Sequence, residues 1–119
     1  LRILIVEDNV EIARFMADNL KGMHCEIAHN GKSGLEAAQQ FMPDIIVADI
    51  MMPIMDGVEM SRLLKRNLTT ATIPIILLTA KDNKKTELDA YKLGVDAFLS
   101  KPFEMDHLVA RILQIVKNK

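Results

Sequence analysis

Ile45-Ile46-Val47-Ala48 is a continuously apolar run that ends at the carboxylate of Asp49. Residues 3–6 (Ile-Leu-Ile-Val) and residues 75–78 (Ile-Ile-Leu-Leu) have the same character. Short apolar runs rich in β-branched residues are typical of strands that are buried on both faces of a parallel sheet. These runs therefore predict the central strands of a sheet that is covered by helices on both sides.

Working outward from these runs, strand-like and helix-like segments alternate along the whole chain. The predicted strands are 3–6, 23–28, 44–48, 75–78 and 97–99, and the predicted helices are 11–20, 31–41, 58–65, 84–93 and 104–116. The second strand alternates in polarity and the fifth is short, so we expect these two at the edges. With right-handed crossovers, the prediction is an α/β, flavodoxin-like (βα)5 doubly wound parallel sheet of strand order 2-1-3-4-5.

The first predicted helix has an apolar face made of Ile12, Phe15, Met16 and Leu20. These positions recur at the spacing of one helical face, which is typical of an amphipathic helix. Gly22 is placed to end this helix, because glycine is the commonest residue just past a helix C-terminus.

Composition bounds the class of protein. The chain has 119 residues, of which 50% are hydrophobic and 26% charged, and its formal net charge is −1. That size suits one domain, and the absence of a basic excess argues against nucleic-acid binding. No apolar run approaches the roughly 20 residues that cross a membrane. Cys25 has no partner cysteine, so we expect a reducing, cytoplasmic location.

Polar and charged residues stand at the carboxyl ends of the predicted central strands: Glu7 and Asp8, then Asp49, Thr79 and Lys101. Ligands of such sheets bind where the strand order reverses, here between the first and third strands. Any one of these residues alone has an ordinary structural explanation, such as a helix cap or a turn. Their joint placement at successive strand ends predicts a functional site.

The chemistry of that cluster is restricted by charge. Two carboxylates about 5 Å apart repel by roughly 3 kcal/mol at an effective dielectric of about 20. Three carboxylates gathered in this way need a cation or a raised pKa. If a cation is bound, an oxygen-only, partly hydrated ligand set favours Mg²⁺. With Lys101 alongside, the site is suited to neutralise a phosphoryl group, which an aspartate is able to accept.

With these residues in these positions, the sequence resembles the receiver domain of two-component response regulators over essentially its whole length. The matching stretches are Ile5-Val6-Glu7-Asp8-Asn9, Val47-Ala48-Asp49-Ile50-Met51-Met52-Pro53, Met55-Asp56-Gly57, Leu77-Leu78-Thr79-Ala80-Lys81, Gly94-Val95-Asp96-Ala97 and Lys101-Pro102-Phe103. Each stretch is short, but their order and spacing together are highly specific. The resemblance implies one receiver domain over residues 1–119. The abrupt start in strand-like residues adds the hypothesis of a longer response regulator or hybrid sensor kinase.

The resemblance also implies roles for individual residues. Asp49 matches the phosphoacceptor and a ligand of Mg²⁺, and Glu7 and Asp8 match the acidic pair that holds the metal directly or through water. The backbone carbonyl of Met51 matches a further metal ligand. Because the domain supplies this chemistry to its own aspartate, it is expected to assist its phosphorylation and dephosphorylation without being an enzyme in the usual sense.

Three further positions carry the switch in the family that this chain resembles. Thr79 matches the hydroxyl that hydrogen-bonds the new phosphoryl group, Lys101 the lysine that pairs with it, and Phe98 the aromatic residue that turns inward when the threonine moves. The bond between Lys101 and Pro102 matches one that is cis in the family, which proline permits at a cost of about 0.5–1 kcal/mol.

The resemblance implies a histidine kinase as phosphodonor and an effector domain or downstream protein as partner. The signal would leave through the face of the fourth helix, fifth strand and fifth helix, which also makes homodimers of phosphorylated receivers. In response regulators whose effector is a winged-helix domain, this face carries a set of charged pairs that join the two copies of the dimer. Glu87 stands where a basic residue is usual, His107 where an acid is usual, and Ala97 replaces an acid. These departures argue against that particular dimer.

Three other functions fit parts of the pattern. A flavin-binding protein of the same fold needs a Ser-, Thr- and Gly-rich loop after the first strand, whereas Glu7-Asp8-Asn9 would repel a phosphate. A phosphohydrolase of the haloacid-dehalogenase type needs a second acid two residues after the nucleophile, where this chain has Met51. A receiver-like domain that is never phosphorylated is the third alternative, although every reactive position is filled.

Met51 and Lys81 flank the approach of water to the phosphorylated aspartate in receivers. Met51 cannot orient a water molecule, and Lys81 is expected to shield the phosphoryl oxygens. We therefore predict a long-lived phosphorylated state. The competing hypothesis is that both side chains point to solvent and have no effect.

Overall fold

The computed structural model describes residues 1–80 and 84–118. Strands and helices alternate through them, and each predicted element is present with ends shifted by at most two residues. They are β1 (Arg2–Val6), α1 (Val10–Asp18), β2 (His24–Ala28), α2 (Gly31–Phe41), β3 (Ile45–Asp49), α3 (Gly57–Arg66), β4 (Ile75–Ala80), α4 (Lys84–Lys92), β5 (Ala97–Lys101) and α5 (Met105–Lys117). Two-residue shifts shorten α1 at its end and lengthen β4 and β5, so that Thr79 and Lys101 are residues of the strands themselves.

The strands form one sheet of order β2-β1-β3-β4-β5, and every neighbouring pair is parallel. This confirms the predicted topology. Strand order reverses between β1 and β3, so the loops that follow these two strands diverge to opposite sides and open a crevice at the carboxyl edge of the sheet.

The central strands are continuously apolar because both of their faces are covered. On β1, Leu4 and Val6 pack into a core under α2, α3 and α4, whereas Ile3 and Ile5 pack into a second core under α1 and α5. All four side chains are fully buried. Burial of an aliphatic side chain of this size contributes about 1.5–3 kcal/mol, so the two cores together fix the order and register of the strands.

The edge strands are less buried, as their sequences predict. Along β2 exposed and half-buried residues alternate, and only Ala28 at its carboxyl end is buried. In β5 only Ala97 is buried.

Helix α1 and the residues just after it bury part of the predicted apolar face, Met16 and Leu20, and leave the rest exposed. Ala13 and Met16 are buried against the sheet, whereas Ile12 and Phe15 are 46% and 59% exposed. The helix ends at Asp18 with Asn19 as its cap, and Leu20 is buried just beyond it. Gly22 therefore does not end the helix; it takes a left-handed φ of +81° in the turn that leads into β2.

Candidate functional site

The acidic residues predicted to form a site do converge. Glu7 follows β1, Asp8 comes next, and Asp49 is the last residue of β3. One carboxylate oxygen from each lies within 4.8 Å of the others. Asp8 is exposed, but Glu7 and Asp49 are only 2% and 6% exposed, so water does little to relieve their mutual repulsion.

Glu7 carries the clearest sign that a positive group belongs at this site. Its Oε2 atom accepts a hydrogen bond from the Asn9 amide at 3.0 Å, but its buried Oε1 atom has no partner among the described residues. Burial raises the pKa of Glu7 from 4.5 to about 7, with the Asn9 amide acting in the opposite direction. A buried carboxylate oxygen without a donor is satisfied by a proton or by a cation. The oxygen donors therefore fit a hard divalent ion.

Asp49 is held by Lys101, which lies at the end of β5. The Lys101 Nζ atom donates a hydrogen bond to Asp49 Oδ2 at 2.7 Å. The other carboxylate oxygen of Asp49 accepts a hydrogen bond from the Met51 amide at 3.3 Å. A reactive carboxylate, a fixed ammonium group and two further acids thus meet at the carboxyl edge of the sheet.

Thr79 and Phe98 occupy the same side of the sheet as each other. Phe98 of β5 is in register with Leu77 of β4, and Thr79 lies two residues further along β4. Residues two apart on a strand face the same way, so both side chains stand over the core beneath α2, α3 and α4. Thr79 is buried and donates its hydroxyl to the Ala80 carbonyl at 3.2 Å, while Phe98 is half-buried.

The remaining site predictions meet the structure unevenly. The Lys101–Pro102 peptide bond is cis, as the resemblance implied. Met51 is 72% exposed, and its amide places it next to Asp49. The metal-ligand role of its carbonyl stays a prediction. Lys81 lies outside the described residues.

Two features of the site were not predicted from the sequence. A cavity of about 570 Å³ adjoins the acidic cluster, and its apolar lining includes Ile12, Phe15 and Phe103. The only available signal, apolar residues three apart on α1, indicated core packing instead. The second feature is the His29 ring, whose Nδ1 atom lies 2.9 Å from the Glu7 carbonyl. Nothing in the local sequence indicates that contact.

Comparison with known proteins identifies the family. The sequence-family model for the response regulator receiver domain matches residues 3–113. The chain belongs to this family: it is a receiver domain of two-component systems. It is 36% identical to the transcriptional regulatory protein PcoR of Escherichia coli over 119 residues, which are 98% of this chain and 52% of PcoR.

Receivers attached to kinases are equally similar. The chain is 38% identical to the hybrid signal transduction histidine kinase D of Dictyostelium discoideum over 118 residues, or 98% of this chain and 8% of the kinase.

Among solved structures, the receiver domain of the Francisella response regulator 1452 is 30% identical, with a TM-score of 0.90 over 98% of this chain and 97% of that one. This chain thus spans about half of one curated relative and a small part of another.

Family membership disfavours the flavin-binding and phosphohydrolase alternatives, and the domain is a phosphoacceptor signalling module, not an enzyme in the usual sense. In the part of the chain that the structure describes, no helix has the length and hydrophobicity to span a bilayer.

Proposed function

We propose that Asp49 accepts a phosphoryl group from a histidine kinase and that the resulting charge switches the face formed by α4, β5 and α5. One observation carries this proposal: the Lys101 ammonium lies 2.7 Å from Asp49, whose carboxylate converges with those of Glu7 and Asp8. In the transfer, the nitrogen–phosphorus bond of the donor breaks as a bond forms between phosphorus and an Asp49 oxygen. Lys101 is placed to neutralise the oxygens of the group in flight.

Mg²⁺ is the cation that we propose for the acidic cluster, held by Glu7, Asp8, Asp49 and the Met51 carbonyl. The buried, unpartnered oxygen of Glu7 supports it, as does the oxygen-only donor set. When bound, the ion supplies positive charge that draws the phosphoryl oxygens into an otherwise repellent pocket. Asp8, being exposed, is free to act directly or through a water molecule.

The apolar cavity beside the pocket gives the phosphodonor a place to dock. Its walls come from Ile12 and Phe15 of α1 and from Phe103 after β5, and it reaches Glu7 and Lys101 of the reactive site. A protein that brings a phosphohistidine to Asp49 must contact the rim of the pocket on one side. An apolar surface of this kind fits a helix of the kinase with apolar side chains next to its histidine.

The output of the switch depends on Thr79 and Phe98. A phosphoryl group on Asp49 adds strong acceptors near Thr79, which is placed to gain a hydrogen bond by moving toward it. The vacated space then admits Phe98, which stands on the same face. An effector or downstream protein, or a second copy of the chain, would read the change, and direct nucleic-acid binding by this domain is not expected. We place the reaction in the cytoplasm, where kinases meet ATP.

The decisive experiment is intact mass after incubation with acetyl phosphate and Mg²⁺, with no kinase present. We expect one added phosphoryl group in the parent and in Asp44→Ala, which removes an acid from the other end of β3. Asp49→Ala should gain none, and Asp8→Ala should gain it far more slowly. Labelling of the parent without a kinase would mean that the domain assists its own phosphorylation. Normal labelling of Asp49→Ala would overturn the assignment.

A second experiment separates docking from chemistry. Phe15→Glu places a charge in the apolar cavity without touching the carboxylates. It should slow transfer from a phosphorylated histidine kinase while leaving labelling by acetyl phosphate at the parental rate. Equal slowing of both reactions, or of neither, would contradict the proposed docking surface.

A further inference from the structure

The connection between β2 and α2, residues 29–31, contacts both loops that carry the acidic site. On one side, the His29 Nδ1 atom lies 2.9 Å from the backbone carbonyl of Glu7. A carbonyl oxygen only accepts, so the His29 ring donates Nδ1–H to it. On the other side, the Gly31 amide donates a hydrogen bond to the Met55 carbonyl at 2.9 Å. His29 thus holds the loop after β1, and Gly31, two residues later, holds the loop after β3.

The second of these contacts requires glycine. A Cβ atom at position 31 would lie 2.4 Å from the Met55 carbonyl oxygen and 2.9 Å from its carbonyl carbon. Both are backbone atoms, so the β3–α3 loop itself would have to move. The absence of a side chain lets the N-terminus of α2 close on that loop.

The loop that Gly31 holds is strained and leads directly to the acidic site. The Met55 amide donates to the Pro53 carbonyl at 2.7 Å, which closes a three-residue turn on Ile54. Ile54 has a φ of +70°, a left-handed conformation that is unfavourable for a β-branched residue. Such a turn persists only where its surroundings hold it. At its other end the loop begins with Met51, whose amide contacts Asp49.

We propose that His29 and Gly31 are positioning residues for the metal site, tying the Glu7-Asp8 loop to the Met51-bearing loop at a fixed separation. The inference rests on the proposed function, since it concerns Mg²⁺ binding by that site. Neither residue is a metal ligand. They set the distance between donors that lie on different loops, as hydrogen-bonded outer partners commonly do at metal sites.

His29 offers a sharp test because it is exposed and two neutral substitutions separate its hydrogen bond from its bulk. His29→Asn keeps a nitrogen donor bonded to Cγ, whereas His29→Leu removes the donor. We expect His29→Leu to weaken Mg²⁺ affinity about 10-fold, the lower end of what loss of an outer partner costs. His29→Asn should retain most of the affinity. His24→Leu, a control at the start of β2, the strand that leads to His29, should bind as the parent does.

Gly31→Ala and Gly34→Ala form the second matched pair. The three atoms nearest to a Cβ at position 34 would be the Met60 sulfur at 2.8 Å and the two Val6 methyl groups at 3.1 Å, all of them side-chain atoms outside the β3–α3 loop. Both variants should melt at lower temperature in EDTA. Only Gly31→Ala should also weaken Mg²⁺ binding about 10-fold and shift the amide resonances of Asp49 and Met51.

Mg²⁺ titration followed by NMR, with melting temperature measured separately in EDTA, decides the matter. Parental affinity in both His29→Leu and Gly31→Ala would overturn the positioning role. It would also be overturned if Gly34→Ala lost as much Mg²⁺ affinity as Gly31→Ala does for the same fall in melting temperature. If the parent itself fails to bind Mg²⁺, the proposed function falls and this inference with it. If the parent binds Mg²⁺, and His29→Leu and Gly31→Ala bind it as tightly as their control variants do, the positioning role is rejected and the proposed function is retained.

Discussion

Tyr91 of α4 packs edge-on against Phe98 of β5, with ring centroids 4.7 Å apart and planes inclined by 71°. Tyr91 is 53% exposed, so this contact joins the predicted switch residue to the surface of α4. The phenol ring must lose or remake the contact if Phe98 turns toward the space beside Thr79. The pair therefore couples the inside of the domain to the face proposed for output.

Tyr91 should report the switch optically, because it is the only tyrosine and the chain has no tryptophan. Addition of beryllofluoride with Mg²⁺, which mimics the phosphoryl group, should change tyrosine emission in the parent. In Phe98→Leu the change should be largely lost, since no ring remains to move away. Chemical shifts across α4, β5 and α5 should change alongside. A response confined to the acidic pocket, with constant tyrosine emission, would contradict the coupling.

Stability in the absence of metal should fall as pH rises, because of Glu7. Its pKa is raised by burial from 4.5 to about 7, so the folded state keeps a proton that the unfolded chain has lost between these values. The stabilising effect is complete below about pH 4.5 and is lost as pH passes 7. The shift corresponds to on the order of 3 kcal/mol. Urea unfolding in EDTA between pH 5 and pH 7.5 measures it.

The control for this pH dependence is Glu7→Gln, which cannot ionise but keeps the shape of the side chain. Its free energy of unfolding should exceed that of the parent at pH 7.5 and converge with it toward pH 5. Mg²⁺ should bind the parent more tightly as pH rises toward 7, because the metal prefers the ionised carboxylate. Identical pH profiles for the parent and the variant would rule out Glu7 as the source.

Lys101→Met should have opposite effects on metal affinity and on phosphoryl transfer. Removing the ammonium frees Asp49 for Mg²⁺, but the gain in affinity should be at most about fivefold, since Lys101 is 39% exposed and a screened pair contributes under about 1 kcal/mol. Labelling by acetyl phosphate should slow on the order of 100-fold, because one positive group facing the transferring oxygens is gone. Calorimetric Mg²⁺ titration and intact mass measure the two effects.

The matched control is Lys117→Met, which removes the same charge from the exposed end of α5. It should behave as the parent in both measurements. Weaker Mg²⁺ binding in Lys101→Met would mean that the lysine supports the metal site, contrary to the expected competition for Asp49.

The central sheet and the reactive residues could be predicted because their signals are local. A buried parallel strand must be apolar throughout, so a charge at its end, such as Asp49 at the end of β3, marks the edge where ligands bind. Strand order then follows from which strands are apolar on both faces. These steps need no knowledge of side-chain packing, and the observed sheet confirms the predicted strand order.

The surroundings of the site could not be predicted because they depend on tertiary packing. Of the predicted apolar face of α1, Met16 is buried as expected, but Ile12 and Phe15 are exposed and line a cavity. The spacing of apolar residues identifies one face of a helix but does not show what that face packs against. The contact of His29 with the Glu7 carbonyl spans 22 residues and exists only once β1 and β2 are paired.

The lifetime of the phosphorylated state should depend on Met51. Met51 is 72% exposed and its amide contacts Asp49, so it lies at the surface next to the residue that would carry the phosphoryl group, which water must approach in line with the new bond. A thioether cannot orient that water by a strong hydrogen bond, whereas an amide is able to. Met51→Asn should therefore lose its phosphoryl group faster than the parent, with Met51→Leu, apolar and of similar size, as the matched control. Decay is followed by intact mass after removal of the donor, and Lys81→Glu, at the other flanking position, should also hasten it. Equal decay in the parent and in Met51→Asn would mean that this side chain sets nothing and that the lifetime is controlled elsewhere.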